Sequence, residues 1–177
     1  MAAYAGVLAL KAGWPASLAA RLELAAPMHD TGKIGIPDAI LKAPRKLTPD
    51  EMEVMKRHTN IGYDILGKSD GPIFKMAAQI ALHHHEWWNG AGYPCGLSGE
   101  DIPDSARIVA VADVFDALTM KRPYKAPWSV EASVAEISRL AGSHFDPRIV
   151  ALFLQSLPEL LSIKQRMEDA DPRSKGQ

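Results

Sequence analysis

Residues 107–120 read RIVAVADVFDALTM and are apolar on most faces if wound as a helix. A helix that is apolar nearly all round is a buried one, so other elements must surround it. The β-branched residues keep a strand at 107–111 open as the competing local reading. Asp113 falls inside this run. A charged side chain is seldom fully buried without a partner, so Asp113 calls for a cation or several hydrogen-bond donors.

The rest of the chain must supply the surrounding elements, and its signals are helical nearly throughout. An apolar segment over 2–12 is stopped by Gly13 and Pro15, and a mostly buried helix is expected over 17–28. A short helix runs from Pro37 to Leu41, where KAPRK breaks it. Thr48, Pro49 and Glu51 form a capping-box start for one helix reaching Leu66, with Met52, Met55, Ile61, Ile65 and Leu66 on its apolar side. Another helix starts near Pro72 and ends at the histidines. Residues 86–104 are punctuated by glycine and proline and read as a long loop. Ser129 and Gly142 bracket a further helix, and Asp146 with Pro147 opens the next. The last ten residues are polar. The expectation is an all-α fold, with one domain over 1–160 and a polar tail over 161–177.

A chain of 177 residues is long enough for one domain with a substantial core. Its net charge of −1 points to neither nucleic acid nor an anionic membrane as partner. No apolar run approaches the roughly 20 residues that span a bilayer. The lone Cys95 rules out an internal disulfide, and a reducing cytoplasm is the simplest compartment. The opening MAAYAGVLALKAGWP has no basic n-region and does not fit a signal peptide. It reads as a helix entered in its middle, because the apolar pattern is already running at Tyr4, Val7 and Leu8 without a cap.

Metal-binding side chains recur in unusual places. His29-Asp30 ends an apolar helix, His58 lies in the capped helix, His84-His85 ends the next, and Asp113 sits in the apolar run. Imidazole with carboxylate suits zinc, manganese and iron. Neighbours on a helix diverge by about 100°, so His29 and Asp30 suit a helix end, where the imidazole takes one ion and the carboxylate bridges to a second. Ligands from four helices describe a metal centre within a helical bundle. Each piece has a plainer reading: His58 as a satisfied core residue, the histidine run as a cationic helix end, and Asp113 as an arginine partner. The joint pattern favours metal.

HDTGKIGIPDAIL, HHEWWNGAGYPCGLSGEDIP and RIVAVADVFDALTMKRPYK together resemble the HD-GYP family, a branch of the HD-domain metal-dependent phosphohydrolases. The likeness runs from about residue 4 to about 158, with spacings of 29, 26 and 28 residues between His29, His58, His84 and from His85 to Asp113. It implies an HD-domain helical bundle with a long GYP loop. The implied ligands of two or three divalent metal ions, iron, manganese or similar, are His29, Asp30, His58, His84, His85 and Asp113, with Asp30 bridging. Lys33 would face a phosphate and assist catalysis. Arg122 and Lys125 would hold phosphate oxygens, and Tyr93 would lie on the substrate side. Glu86 would orient a ligand imidazole from behind. His83 and Cys95 read as incidental, and His144 as structural.

The implied activity is hydrolysis of cyclic di-GMP to pGpG, and then GMP, as the output module of a larger bacterial signalling protein. The implied partners are an upstream receiver or sensor domain and, through the GYP loop, a GGDEF-type diguanylate cyclase domain. The alternatives are an HD-type hydrolase of another nucleotide and a non-hydrolysing binding module. One departure favours the last: the family usually carries a further histidine upstream, and no histidine precedes His29. A chain cut short at its first helix would explain that, and the uncapped start suggests the same.

Overall fold

The computed structural model describes residues 1–120 and 127–170, the side chain of Ala170 excepted. The helices are α1 (Ala2–Lys11), α2 (Ala16–Ala25), α3 (Asp38–Leu41), α4 (Pro49–Lys56), α5 (His58–Leu66), α6 (Pro72–His83), α7 (Asp104–Thr119), α8 (Val130–Arg139), α9 (Pro147–Gln155) and α10 (Leu157–Ala170). Short 3-10 turns occupy Ala26–Met28, Thr31–Gly35 and Gly99–Asp101. Among the described residues there is no strand longer than an isolated bridge, so the fold is all-α.

The apolar run at 107–120 is helical as α7, and the strand reading at 107–111 is excluded. It forms the centre of the bundle, packed against α1, α6, α8 and α9. Ile108, Val109, Val111 and Phe115 are fully buried. The Phe115 ring meets Tyr4 edge-on at 5.5 Å and Phe153 at 5.1 Å, joining α1 and α9 through α7. Burying such aliphatic and aromatic side chains contributes roughly 1.5–3 kcal/mol each before chain entropy is charged against it.

The expected caps form. Thr48 accepts from the Glu51 N–H while the Glu51 carboxylate accepts from the Thr48 N–H. Ser129 accepts from Ala132, and Asp146 from Arg148, with Pro147 at the first helical position. Arg107 fastens that last cap to α7, donating to Asp146 at 2.7 Å and lying 2.6 Å from Asp104.

Four local expectations are corrected. The helix expected over 47–66 breaks at Arg57 into α4 and α5, because the side chains of His58 and Thr59 take the carbonyls of Met55 and Lys56. Met52 and Ile65, expected on an apolar face, are instead 41% and 40% exposed. Helix α8 is capped at Leu140, so Gly142 lies beyond its end, with a φ of +78°. The helix expected over 17–28 ends at Ala25, and its last turn tightens to 3-10.

Gly32 and Gly62 bring the pieces of the site together. A Cβ on Gly62 would come within 3.1 Å of the Ala81 side chain and 3.2 Å of the Gly32 nitrogen. The turn carrying Asp30, helix α5 and helix α6 can therefore lie in direct backbone-level contact.

Candidate metal centre

Three of the histidines stand just past, or at, a helix end, and each turns its ring back on the chain behind it. His29 Nδ1 lies 2.9 Å from the Ala26 carbonyl, His58 Nδ1 2.8 Å from Met55, and His84 Nδ1 3.0 Å from both Ile80 and Ala81. The Ala26 and Ile80 carbonyls already accept the backbone N–H groups of His29 and His84, and a carbonyl oxygen has a second lone pair for an imidazole N–H. A ring that donates through Nδ1 keeps a lone pair on Nε2 when neutral, which is the form that binds metal.

Those Nε2 atoms converge. His58 and His84 bring theirs to 3.4 Å apart, and Asp30 Oδ1 lies 3.6 Å from the first and 3.9 Å from the second. Asp30 Oδ1 is buried and accepts no hydrogen bond among the described residues. Three electron-rich atoms thus face one another without a donor between them. Bonds of about 2.0–2.2 Å to a tetrahedral cation would set its ligands roughly 3.4 Å apart, so this spacing fits a divalent transition-metal ion. His85 completes the group, its ring 5.2 Å from His58 and 4.1 Å from His84.

The titration of these groups follows the same logic. Burial lowers the pKa of His58, and burial with the charge of its neighbours lowers that of His84. Burial, then the charge of His58, brings His85 down to about 3. All three are therefore held neutral near pH 7. His29 goes the other way: burial opposes its charge, but Asp30 and then Asp113 outweigh it and raise the pKa. Its Nε2 lies 3.3 Å from Asp30 and 3.6 Å from Asp113, between two carboxylates, where a cation would be favoured. Burial works against ionised Asp30, yet His29 and Lys33 hold its carboxyl far below the usual carboxylate range. Burial raises Asp113, partly offset by His29 and reinforced by Asp30 and Asp116.

The other expected residues divide. Lys33 donates to Asp30 Oδ2 at 2.6 Å, beside the cluster. Tyr93 stacks on His85 with ring centroids 4.8 Å apart, and its N–H donates to the His85 carbonyl. Lys56 lies 5.4 Å from the Tyr93 ring centroid, a contact that nothing in the sequence signals. Arg122 and Lys125 lie outside the described residues.

Glu86 is corrected: backbone carbonyls, not this carboxylate, orient the ligand imidazoles. Glu86 accepts instead from the N–H groups of Cys95 and Leu97, at 2.7 and 3.0 Å, and so ties down the long loop. Gly92 allows that loop to pass close, since a Cβ there would stand 2.2 Å from the Trp87 nitrogen. The two tryptophans anchor its start. Trp87 stacks on His144 at 4.6 Å, and Arg107 lies 5.6 Å from the Trp88 ring centroid. His144 also stacks on Phe145, in the structural role expected of it.

A groove of about 490 Å³ between α1, α2 and α10 is lined by Val7, Leu10, Ala19, Ile163 and Met167 and holds none of these histidines. No described helix is long and apolar enough to cross a membrane.

Comparison with known proteins agrees with this geometry. The family described as HD domain matches residues 1–149. The chain is 46% identical over 171 residues to a cyclic di-GMP phosphodiesterase of Thermotoga maritima, covering 97% of this chain and 46% of that protein. It is 48% identical over 173 residues to the cyclic di-GMP phosphodiesterase response regulator RpfG of Xanthomonas campestris, covering 98% and 46%. A 3'3'-cGAMP-specific phosphodiesterase 2 of Vibrio cholerae is 43% identical over 96% of this chain and 32% of its own length. The chain thus spans less than half the length of these relatives. The crystal structure of a cyclic GMP-AMP specific phosphodiesterase of Vibrio cholerae shares the fold at a TM-score of 0.70 and 22% identity, covering 96% of this chain and 47% of that one. The chain belongs to the HD-domain family of metal-dependent enzymes, and within it to the HD-GYP branch.

Proposed function

We propose that this chain is the phosphodiesterase module of a signalling protein and hydrolyses cyclic di-GMP to pGpG. The observation that carries the reading is the convergence of His58 Nε2, His84 Nε2 and the unpartnered Asp30 Oδ1 on one point. The names of the Thermotoga and Xanthomonas relatives support the substrate.

In this reading His29, Asp30, His58, His84, His85 and Asp113 would hold divalent ions of the iron or manganese class, two or three in number. Such ions, when bound, neutralise phosphodiester charge and activate the attacking water. The chain's own residues do the rest. The helix-end carbonyls keep the Nε2 atoms aimed inward, so neutral His58 and His84 need no change of tautomer to bind. Lys33 keeps a positive charge beside Asp30 and offers it to a phosphate oxygen as charge develops there. Tyr93 fixes His85 by stacking and lines the substrate side. Arg122 offers a planar fork, and Lys125 a point charge, for the substrate's phosphates.

The response-regulator name of the Xanthomonas relative supports an upstream receiver or sensor domain. The aromatic GYP loop suits a GGDEF-type cyclase domain as partner. The lone cysteine and a nucleotide second messenger as substrate suit the cytoplasm.

A second reading is hydrolysis of 3'3'-cyclic GMP–AMP, favoured by the name of the Vibrio cholerae relative. Protein loaded with Fe²⁺ or Mn²⁺ and offered both cyclic dinucleotides decides between them. Faster release of pGpG from cyclic di-GMP is expected, with loss of turnover on chelation. Faster cleavage of the mixed dinucleotide would transfer the assignment. No cleavage of either, with metal bound, would reduce the module to a binding role.

A further inference from the structure

His83 and Cys95 take no part in the cluster above, yet they are not apart from each other. His83 ends α6, one residue before the ligand pair. Successive residues there diverge by about 100°, so His83 points away from His84 and meets the returning loop. Its side chain is 10% exposed, and its Nδ1 is buried with no hydrogen-bond partner among the described residues. A buried imidazole nitrogen without a partner is costly, and it asks for an explanation. Glu86 Oε1 lies 3.9 Å from it, which is too far for a hydrogen bond. Cys95 is exposed, but one ligand atom from each of His83, Glu86 and Cys95 lies within 4.8 Å of the other two.

We propose that His83, Glu86 and Cys95 form a second cation site, separate from the histidine–aspartate centre, that takes a borderline-soft divalent ion of the zinc class. One nitrogen, one carboxylate oxygen and one thiolate match the ligand preferences of Zn²⁺ and leave its fourth position to water. Tetrahedral bonds of about 2.0–2.3 Å set ligand atoms roughly 3.4–3.6 Å apart, inside the 4.8 Å within which these three lie, so the groups must close slightly. The exposed Cys95 belongs to the loop and supplies most of that movement. Each oxygen of Glu86 accepts one backbone N–H and retains a lone pair for the ion. The Cys95 thiol gives up its proton to solvent, and thiolate and carboxylate together balance the ion's charge.

The site would clamp the loop to the end of α6. Cys95 lies two residues beyond Tyr93, whose ring stacks on His85. An ion there fixes the loop in the position that holds this stacking, so it acts on the entrance to the centre without sharing a ligand with it.

Cobalt tests this directly, because Cys95 is the chain's sole cysteine and the centre contains none. The full chain, loaded with Mn²⁺, is titrated with Co²⁺ while the near-ultraviolet thiolate-to-cobalt band is followed. The expected result is a saturable band, abolished in Cys95→Ser and reversed by Zn²⁺. His83→Gln, checked for native circular dichroism, should need at least about 10-fold more Co²⁺, the lower range for loss of a supporting metal contact. No band in the wild type overturns the proposal. So does a titration unchanged by His83→Gln, which would make the thiolate an isolated surface ligand. Neither readout depends on hydrolysis of any nucleotide.

Discussion

Gly32 lies against the backbone of His58 so closely that a Cβ on it would stand 1.9 Å from the His58 carbonyl oxygen. The Gly62 nitrogen would be 2.4 Å away. Both obstacles are backbone atoms of α5, which cannot swing aside as a side chain can. Gly32→Ala must therefore part the turn that carries Asp30 from the helix that carries His58. The expected cost is at or above the upper end of the roughly 1–3 kcal/mol of an overpacked core, read as a lowered unfolding midpoint in urea. Metal content should fall with it, and a variant with wild-type midpoint and metal content would contradict this packing.

Asp30→Asn tests the convergence itself. The amide nearly preserves volume, but it removes the charge that Lys33 and His29 surround. Metal affinity should drop by more than the roughly 10–100-fold seen when a supporting contact around a metal is lost. Metal analysis of purified protein reads this without a substrate.

His144 gives the fold a pH dependence away from the metal centre. Burial lowers its pKa from 6.5 to about 4. Between those values the unfolded chain takes up a proton that the folded chain refuses. Stability from this group is thus complete above about pH 6.5 and is lost as pH falls toward 4, with a slope of at most about 1.4 kcal/mol per pH unit. Thermal unfolding across that window should show a shallower decline in His144→Gln than in the wild type, whatever the variant's absolute midpoint.

Tyr93 should act through its ring rather than its hydroxyl. Burial, and then the charge of Asp30, raise its pKa, so the phenol stays protonated at working pH. Ring stacking of this kind is worth about 0.5–1.5 kcal/mol, or roughly 2- to 12-fold in an equilibrium. Tyr93→Phe should retain metal affinity and turnover, while Tyr93→Ala should lose up to about 10-fold. Equal losses in both would move the role to the hydroxyl.

Much of the fold was legible where a local rule decides the outcome. Thr48 with Glu51, Ser129, and Asp146 with Pro147 are start signals that require only nearby residues, and all three form. The sequence marked His29, Asp30, His58, His84, His85 and Asp113 as a set, and the fold brings His29, Asp30, His58, His84 and His85 close together, with Asp113 3.6 Å from His29. The break at Arg57 was not, since nothing in the capped pattern announces that His58 takes the Met55 carbonyl for its ring. Glu86 was misread because its partners, Cys95 and Leu97, reach it only when the loop folds back.

The helix-end carbonyls beneath His29, His58 and His84 have a consequence for how such chains should be compared. Each of these imidazoles is tied to the chain behind it as well as facing the centre. Replacing one removes a side-chain hydrogen bond that the fold uses whether or not a reaction is in progress. A descendant that had abandoned hydrolysis would therefore still be under pressure to keep its histidines. Their retention records the architecture, and the carboxylates of Asp30 and Asp113 are the better markers of whether the chemistry survives.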